Sequence, residues 1–164
     1  MSATVELIVN GVAHRVVVED EDLLLDVLRT RADATSVREG CGVGACGACT
    51  VLADGRSVSS CLALAARYDG ARITTADGLP DGDEVVDAFV ANRAMQCGYC
   101  IPGFVLMSHE LLAENPSPSR EEITDHLEGN ICRCGTYSEI VAAVESAAER
   151  RAEARDGDLM GESA

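Results

Sequence analysis

Glu39-Gly-Cys-Gly-Val-Gly-Ala-Cys-Gly-Ala-Cys-Thr-Val51 decides what this chain is built around. Cys41, Cys46 and Cys49 follow the pattern Cys-x4-Cys-x2-Cys, and Cys61 comes after eleven more residues. This is the spacing of a plant-type [2Fe–2S] site, with a shorter final interval. Two irons need two thiolates each, so one tight loop can supply three and a neighbouring element the fourth. The loop has to wrap closely and aim backbone N–H groups at sulfur. Gly40, Gly42, Gly44 and Gly47 suit that, because glycine accepts positive φ and close approach. A zinc site would instead take two well-separated Cys pairs, which three cysteines within nine residues fit poorly.

Around this loop the first 78 residues read as mixed α/β. Thr4–Val9 alternates, with Val5, Leu7 and Val9 on one face. Asn10-Gly11 is a hairpin signal, and Val12–Val18 is the returning strand. Acidic Asp20–Asp22 opens a helix carrying Leu23, Leu24, Val27 and Leu28. Thr50–Ala53 and Arg56–Ser60 flank an Asp54-Gly55 turn, and Ala71–Thr75 is the last strand. Residues Asp77 to Asp83, with Gly78, Pro80 and Gly82, read as a linker.

Composition changes beyond the linker. Glu84–Asn92 is helix-periodic, and Pro102–Ala113 is apolar almost all round, so a buried helix is expected. Capping boxes are expected at Ser119–Glu122 and Thr136–Glu139. The order helix, cysteine pair, helix therefore occurs twice, giving four short helices. The pairs are Cys97-x2-Cys100 and Cys132-x-Cys134. Taken alone they suit zinc, a redox dithiol or a cluster. Both meet helix starts, where the dipole favours an anionic thiolate site. Three segments follow: 1–78, 79–150, and a polar tail over 151–164 expected to be disordered.

Three motifs together are more specific: the loop above, Gln96-Cys-Gly-Tyr-Cys100, and Gly129-Asn-Ile-Cys-Arg-Cys134. They resemble the small iron–sulfur subunit of the molybdenum hydroxylases, the superfamily of xanthine dehydrogenase, aldehyde oxidoreductase and carbon monoxide dehydrogenase. The resemblance covers residues 3 to about 148 and includes all eight cysteines. It implies an α+β chain: a β-grasp ferredoxin-like domain, then a four-helix bundle, each holding one [2Fe–2S] cluster. It implies a large partner subunit with the molybdopterin cofactor and usually a medium one with FAD. Electrons would pass from molybdenum to the helical cluster (Cys97, Cys100, Cys132, Cys134), then to the ferredoxin-like cluster (Cys41, Cys46, Cys49, Cys61), then to flavin. Gln96 matches a residue that contacts the pterin, and Cys134 one whose surroundings hydrogen-bond the pterin amino group. The chain would be the non-catalytic subunit of a hydroxylase or dehydrogenase, with no catalytic residue of its own. One departure is Cys132-Arg-Cys-Gly-Thr-Tyr137, where many members read Cys-Arg-Cys-Thr-Gly-Tyr. This order resembles an isoquinoline oxidoreductase-like branch, some of whose enzymes pass electrons to a cytochrome.

Charge narrows the remaining classes. The chain is 164 residues long with net charge -15, and every one of its 13 basic residues is Arg. Nucleic acid and anionic membrane surfaces would be repelled. A cluster-based regulator would need a basic output surface, and a zinc-stabilised interaction module would carry no sulfide; these are the two rival readings. No run approaches the roughly 20 apolar residues of a membrane span, so no membrane insertion is expected. Met1 to Val9 lacks the basic and apolar regions of a leader, so a cytoplasmic location is expected. Reducing conditions there favour metal ligation over disulfides. His14, His109 and His126 read as surface or capping residues, since both groups already have four cysteines. Cluster potentials near about −400 mV or somewhat higher are expected.

Overall fold

The computed structural model describes residues 2–161, with side chains as far as Glu153. Five strands and five helices follow one another: β1 (Ser2–Val9), β2 (Val12–Glu19), α1 (Leu24–Arg31), β3 (Thr50–Ala53), β4 (Arg56–Ser59), β5 (Arg72–Thr74), α2 (Glu84–Ala91), α3 (Ile101–Glu114), α4 (Arg120–Leu127) and α5 (Tyr137–Gly161). The architecture is α+β, with one small sheet and helices gathered mainly in the second half.

The sheet order is β2-β1-β5-β3-β4. β1 pairs antiparallel with β2 and parallel with β5, while β3 is antiparallel to β4 and β5. Both hairpins turn on a residue pair with positive φ: Asn10 (51°) with Gly11 (81°), and Asp54 (49°) with Gly55 (81°). That is the type I′ geometry matching the strand twist. The alternation of β1 puts Val5, Leu7 and Val9 inward, against Leu24, Leu25, Val27 and Leu28 of α1. α1 starts later than its acidic lead-in suggests. Its N-cap is Leu23 with no side-chain bond, because Asp22 instead accepts from the Glu19 N–H and pairs with Arg31.

The second half packs around its own core, which includes Val85, Phe89, Phe104, Leu112, Ile123, Ile140 and Val144. α2 lies on α5, and α3 on α4. Asp83 caps α2, accepting from the Val85 and Val86 N–H groups, and Ser119 with Glu122 forms a full capping box on α4. At Thr136 the expected box gives way to another partner, described below.

The connecting segment over 77–83 is anchored at its start: Ser36 N donates to Asp77 (3.0 Å), and Asn10 exchanges two bonds with Thr75 just before it. One expectation needs correcting. The expected tail does not begin at residue 151, since α5 continues to Gly161. Ala, Glu and Arg are strong helix formers, and Arg151 is tied to Glu84 (2.6 Å) and His109 (3.4 Å). Residues 162–164 lie outside the described residues.

The two halves share an extensive junction. α3 lies against β3 and β4, which is why all four residues of β3 are buried. Glu110, buried in the apolar α3, accepts from the Ser57 N–H (2.8 Å) and faces Arg56 and His126, each at 3.7 Å. At Gly103 the approach is backbone to backbone, and an added Cβ would collide with the Gly47 carbonyl oxygen. Gly103→Ala should therefore lower stability by about 1–3 kcal/mol, read as a shifted urea midpoint. Gly129→Ala, which meets open space, should stay within about 0.5 kcal/mol.

Candidate metal centres

The loop between α1 and β3 is shaped by glycine. Gly42, Gly44 and Gly47 take φ of 68°, 72° and 69°. This turns backbone N–H groups inward: Val43 N and Ala45 N lie 3.5 Å and 3.3 Å from Cys41 Sγ. Gly40 has no room for a side chain, since its Cβ would sit 2.7 Å from Cys46 Sγ. Cys49 lies just before β3 and Cys61 just after β4, so the β3–β4 hairpin returns the fourth cysteine to the loop. Leu24 and Leu25 N–H groups of α1 bond Ala63 and Ser60 oxygens, fixing the Cys61 segment.

The thiols meet in pairs. Cys41 lies beside Cys46, and Cys49 beside Cys61, close enough for each to influence the other's ionisation. The backbone N–H groups of Val43 and Ala45 pull Cys41 down to about 7. Burial raises Cys46, and burial with the neighbouring Cys49 pushes Cys61 up to about 11.

The second centre is built from two helix approaches. Cys100 is the N-cap of α3, with Pro102 in its first turn, where a missing N–H costs nothing. Cys132 and Cys134 lie in the turn before α5. Pairing again holds, between Cys97 and Cys134 and between Cys100 and Cys132. The Tyr99 N–H lowers Cys97, while burial, then Cys132, pushes Cys100 up to about 12. Burial also raises Cys132, but the Thr136 hydroxyl and nearby N–H groups outweigh it, leaving about 7. The Thr136 hydroxyl, 3.1 Å from Cys132 Sγ, is thus spent on sulfur. Tyr137 accepts from the Cys132 N–H (2.9 Å).

Adjacent thiols, some lowered by hydrogen bonds (Cys41, Cys97, Cys132) and others raised by burial (Cys46, Cys61, Cys100), form a donor set suited to a thiolate-bound cluster. Among the described residues, no three His, Cys, Asp or Glu side chains converge as ligands of a single ion. The thiolates take the hard-to-bury charge, and the N–H groups aimed at Cys41 and Cys97 offset it. The residues present fit two [2Fe–2S] clusters. Of the histidines, His109 bonds Asp83 (3.0 Å), His126 lies 3.7 Å from Glu110, and His14 sits in β2.

The two centres are neighbours. A cleft of about 200 Å³ is lined by Cys41 and Cys46 from one and Cys97 and Cys100 from the other, with Tyr99, Ile131 and Arg133. Ile131 N donates to the Cys46 carbonyl (3.0 Å). Tyr99 OH donates to the Glu39 carbonyl (2.7 Å), and Arg38 donates to the Gly98 carbonyl. None of these cross-links is visible in the motifs. Gln96 is exposed beside exposed Cys97, in the turn between α2 and α3.

Two family models match. The model described as a 2Fe-2S iron-sulfur cluster binding domain covers residues 7–74, and that described as a [2Fe-2S] binding domain covers residues 75–145. The nicotine 6-hydroxylase small subunit of Paenarthrobacter nicotinovorans is 45% identical over 142 residues, 85% of this chain and 86% of that protein. Among solved structures, quinoline 2-oxidoreductase from Pseudomonas putida 86 superposes with TM-score 0.86 at 38% identity, covering 92% of this chain and 97% of that one. The aldehyde oxidoreductase of Desulfovibrio desulfuricans gives TM-score 0.84 at 45% identity over 88% of this chain, which spans only 17% of that longer chain.

Replacing Cys49 with Ser should remove or strongly alter one EPR signal of the dithionite-reduced protein and keep the other. Replacing Cys100 with Ser should do the reverse, because the two thiols belong to different pairs of pairs.

Proposed function

Since the chain belongs to the [2Fe–2S] iron–sulfur subunits of the molybdenum hydroxylases, and so serves electron transfer in a molybdenum-dependent dehydrogenase or hydroxylase, we propose its internal order of relay. Electrons enter at the centre of Cys97, Cys100, Cys132 and Cys134, cross to that of Cys41, Cys46, Cys49 and Cys61, and leave to FAD or another acceptor. Each [2Fe–2S] cluster, when bound, takes up and gives up one electron at a time. The first 78 residues act as a β-grasp ferredoxin-like domain, and residues 79–150 as a four-helix bundle. The direction comes from the family resemblance; the observation that carries the direct step between the two centres is the bond from Ile131 N to the Cys46 carbonyl. It joins the residue before Cys132 to a ligand of the other set, leaving one hydrogen bond as the only non-covalent step on that route.

The chain's own residues set the conditions for the relay. Cys49, Cys61, Cys100 and Cys132 are buried, which keeps water from one side of each site. The Val43, Ala45 and Tyr99 N–H groups stabilise added negative charge on sulfur. Exposed apolar side chains lie in the segments that carry the ligands: Met95, Ile131 and Tyr137 around the second set, Val43 and Leu62 around the first. Exposed apolar groups of this kind suit covering by partner subunits. The partner on the Gln96 side is the large molybdopterin-binding subunit, with Gln96 and Cys134 against its pterin. An FAD-binding medium subunit fits the other side. The Gly-Thr order at 135–136 leaves a cytochrome as the alternative acceptor. No helix among the described residues is long and apolar enough to cross a membrane. The eight reduced thiols suit the cytoplasm.

Purified anaerobically, the chain should contain four irons and four acid-labile sulfides and give two distinct EPR signals on reduction. Zinc without sulfide would exclude the reading. In the assembled enzyme, Gln96→Ala should slow turnover with both EPR signals intact. Unchanged turnover would remove Gln96 from the pterin contact.

A further inference from the structure

Arg38 belongs to the first half of the chain, yet its guanidinium is committed to the second. It donates to the Gly98 carbonyl, inside the Cys97–Cys100 turn. Its carbon lies 5.3 Å from the centroid of the Tyr99 ring. Tyr99 returns the connection, donating from its hydroxyl to the Glu39 carbonyl at 2.7 Å. Its backbone N–H is the leading group that lowers Cys97. The main chain at Arg38 is fixed too, by its N–H bond to Ala48 O (3.3 Å). Arg38 is half-buried. A side chain gripped by a carbonyl, a ring and its own backbone holds its charge at one place.

We propose that Arg38 is a positioning and potential-setting residue for the cluster of Cys97, Cys100, Cys132 and Cys134, supplied by the domain that holds the other cluster. The inference rests on the two-cluster reading above. Reduction there adds one electron and no proton to a thiolate-rich site that is already net negative. A fixed positive charge beside the Cys97–Cys100 turn stabilises that added charge. The grip on Gly98 and Tyr99 also fixes the Cys97–Cys100 turn in place. The other cation in these segments is Arg133, between Cys132 and Cys134, and the facing anion is Glu39, whose carboxylate lies over Gly42. Arg38 is the one that ties the two domains together while carrying charge to the site. It makes the helical centre's readiness to accept an electron depend on correct docking of the first domain.

The test is an EPR-monitored redox titration of the full chain with both clusters, for the parent, Arg38→Gln, Arg38→Lys and Tyr99→Phe. Arg38→Gln keeps a donor for Gly98 but loses the charge. It should lower the reduced fraction of the helical cluster about tenfold at fixed potential, which is ~59 mV for one electron, and leave the other cluster unmoved. Arg38→Lys should restore the parental midpoint to within about twofold. Tyr99→Phe should move the helical midpoint less than Arg38→Gln does. Unchanged midpoints in Arg38→Gln, or equal shifts in both clusters, would overturn the proposal. If Arg38→Gln does not retain the helical cluster, Arg38→Lys decides: full occupancy at the parental midpoint supports the proposal, and loss of the cluster there overturns it. Iron and sulfide analysis of the parent tests the two-cluster reading separately.

Discussion

Gly47 sits between Cys46 and Cys49, and its backbone presses directly on Gly103 of α3 and on the Asn130 side chain. No side chain fits at either glycine, so the first cysteine loop and the start of the buried helix touch main chain to main chain. The rest of the arrangement depends on this contact. It brings the Asn130–Cys134 segment against the loop, lets Ile131 bond the Cys46 carbonyl, and places both sets of thiols around one cleft. A larger residue at either glycine would strain this contact and, with it, the placement of the two centres.

Each centre solves the same problem, how to hold four thiolates in a small apolar protein. Burial alone raises thiol pKa, as at Cys61 and Cys100. The counterweight is the peptide N–H, directed at Cys41 by glycines with positive φ and at Cys97 by a tight turn. At Cys132 a side-chain hydroxyl does the same work. Closely set thiols, several already drawn toward ionisation by N–H or hydroxyl groups, are well suited to give up their protons to metal.

The junction between domains is polar where it could have been apolar. Glu110 is buried with Ser57, Arg56 and His126 around it, and Arg38 and Tyr99 exchange bonds across the cysteine loops. A polar junction costs desolvation, yet it fixes one orientation, since a shift of a few ångströms leaves carbonyls and a carboxylate without partners. For electron transfer the distance between centres matters more than stability, and directional bonds set distance better than apolar packing does.

Much of this was legible in the chain because the signals are local. Both hairpin turns, the strand faces of Val5, Leu7 and Val9, the buried helix after Cys100 and the Ser119 box depend on neighbours within a few residues. The cysteine spacings are local in the same sense, and with the motif resemblance they assign eight ligands to two groups. What the sequence could not decide were choices among long-range partners. Asp77, at the start of the connecting segment, is held by Ser36. Thr136 turns its hydroxyl to Cys132 instead of closing a capping box. Residues 151–161 stay helical, with Arg151 reaching Glu84. The pairing of Cys97 with Cys134 and of Cys100 with Cys132 also comes from tertiary structure. A polar side chain has several partners of nearly equal energy, and only the folded backbone brings one of them within about 3 Å.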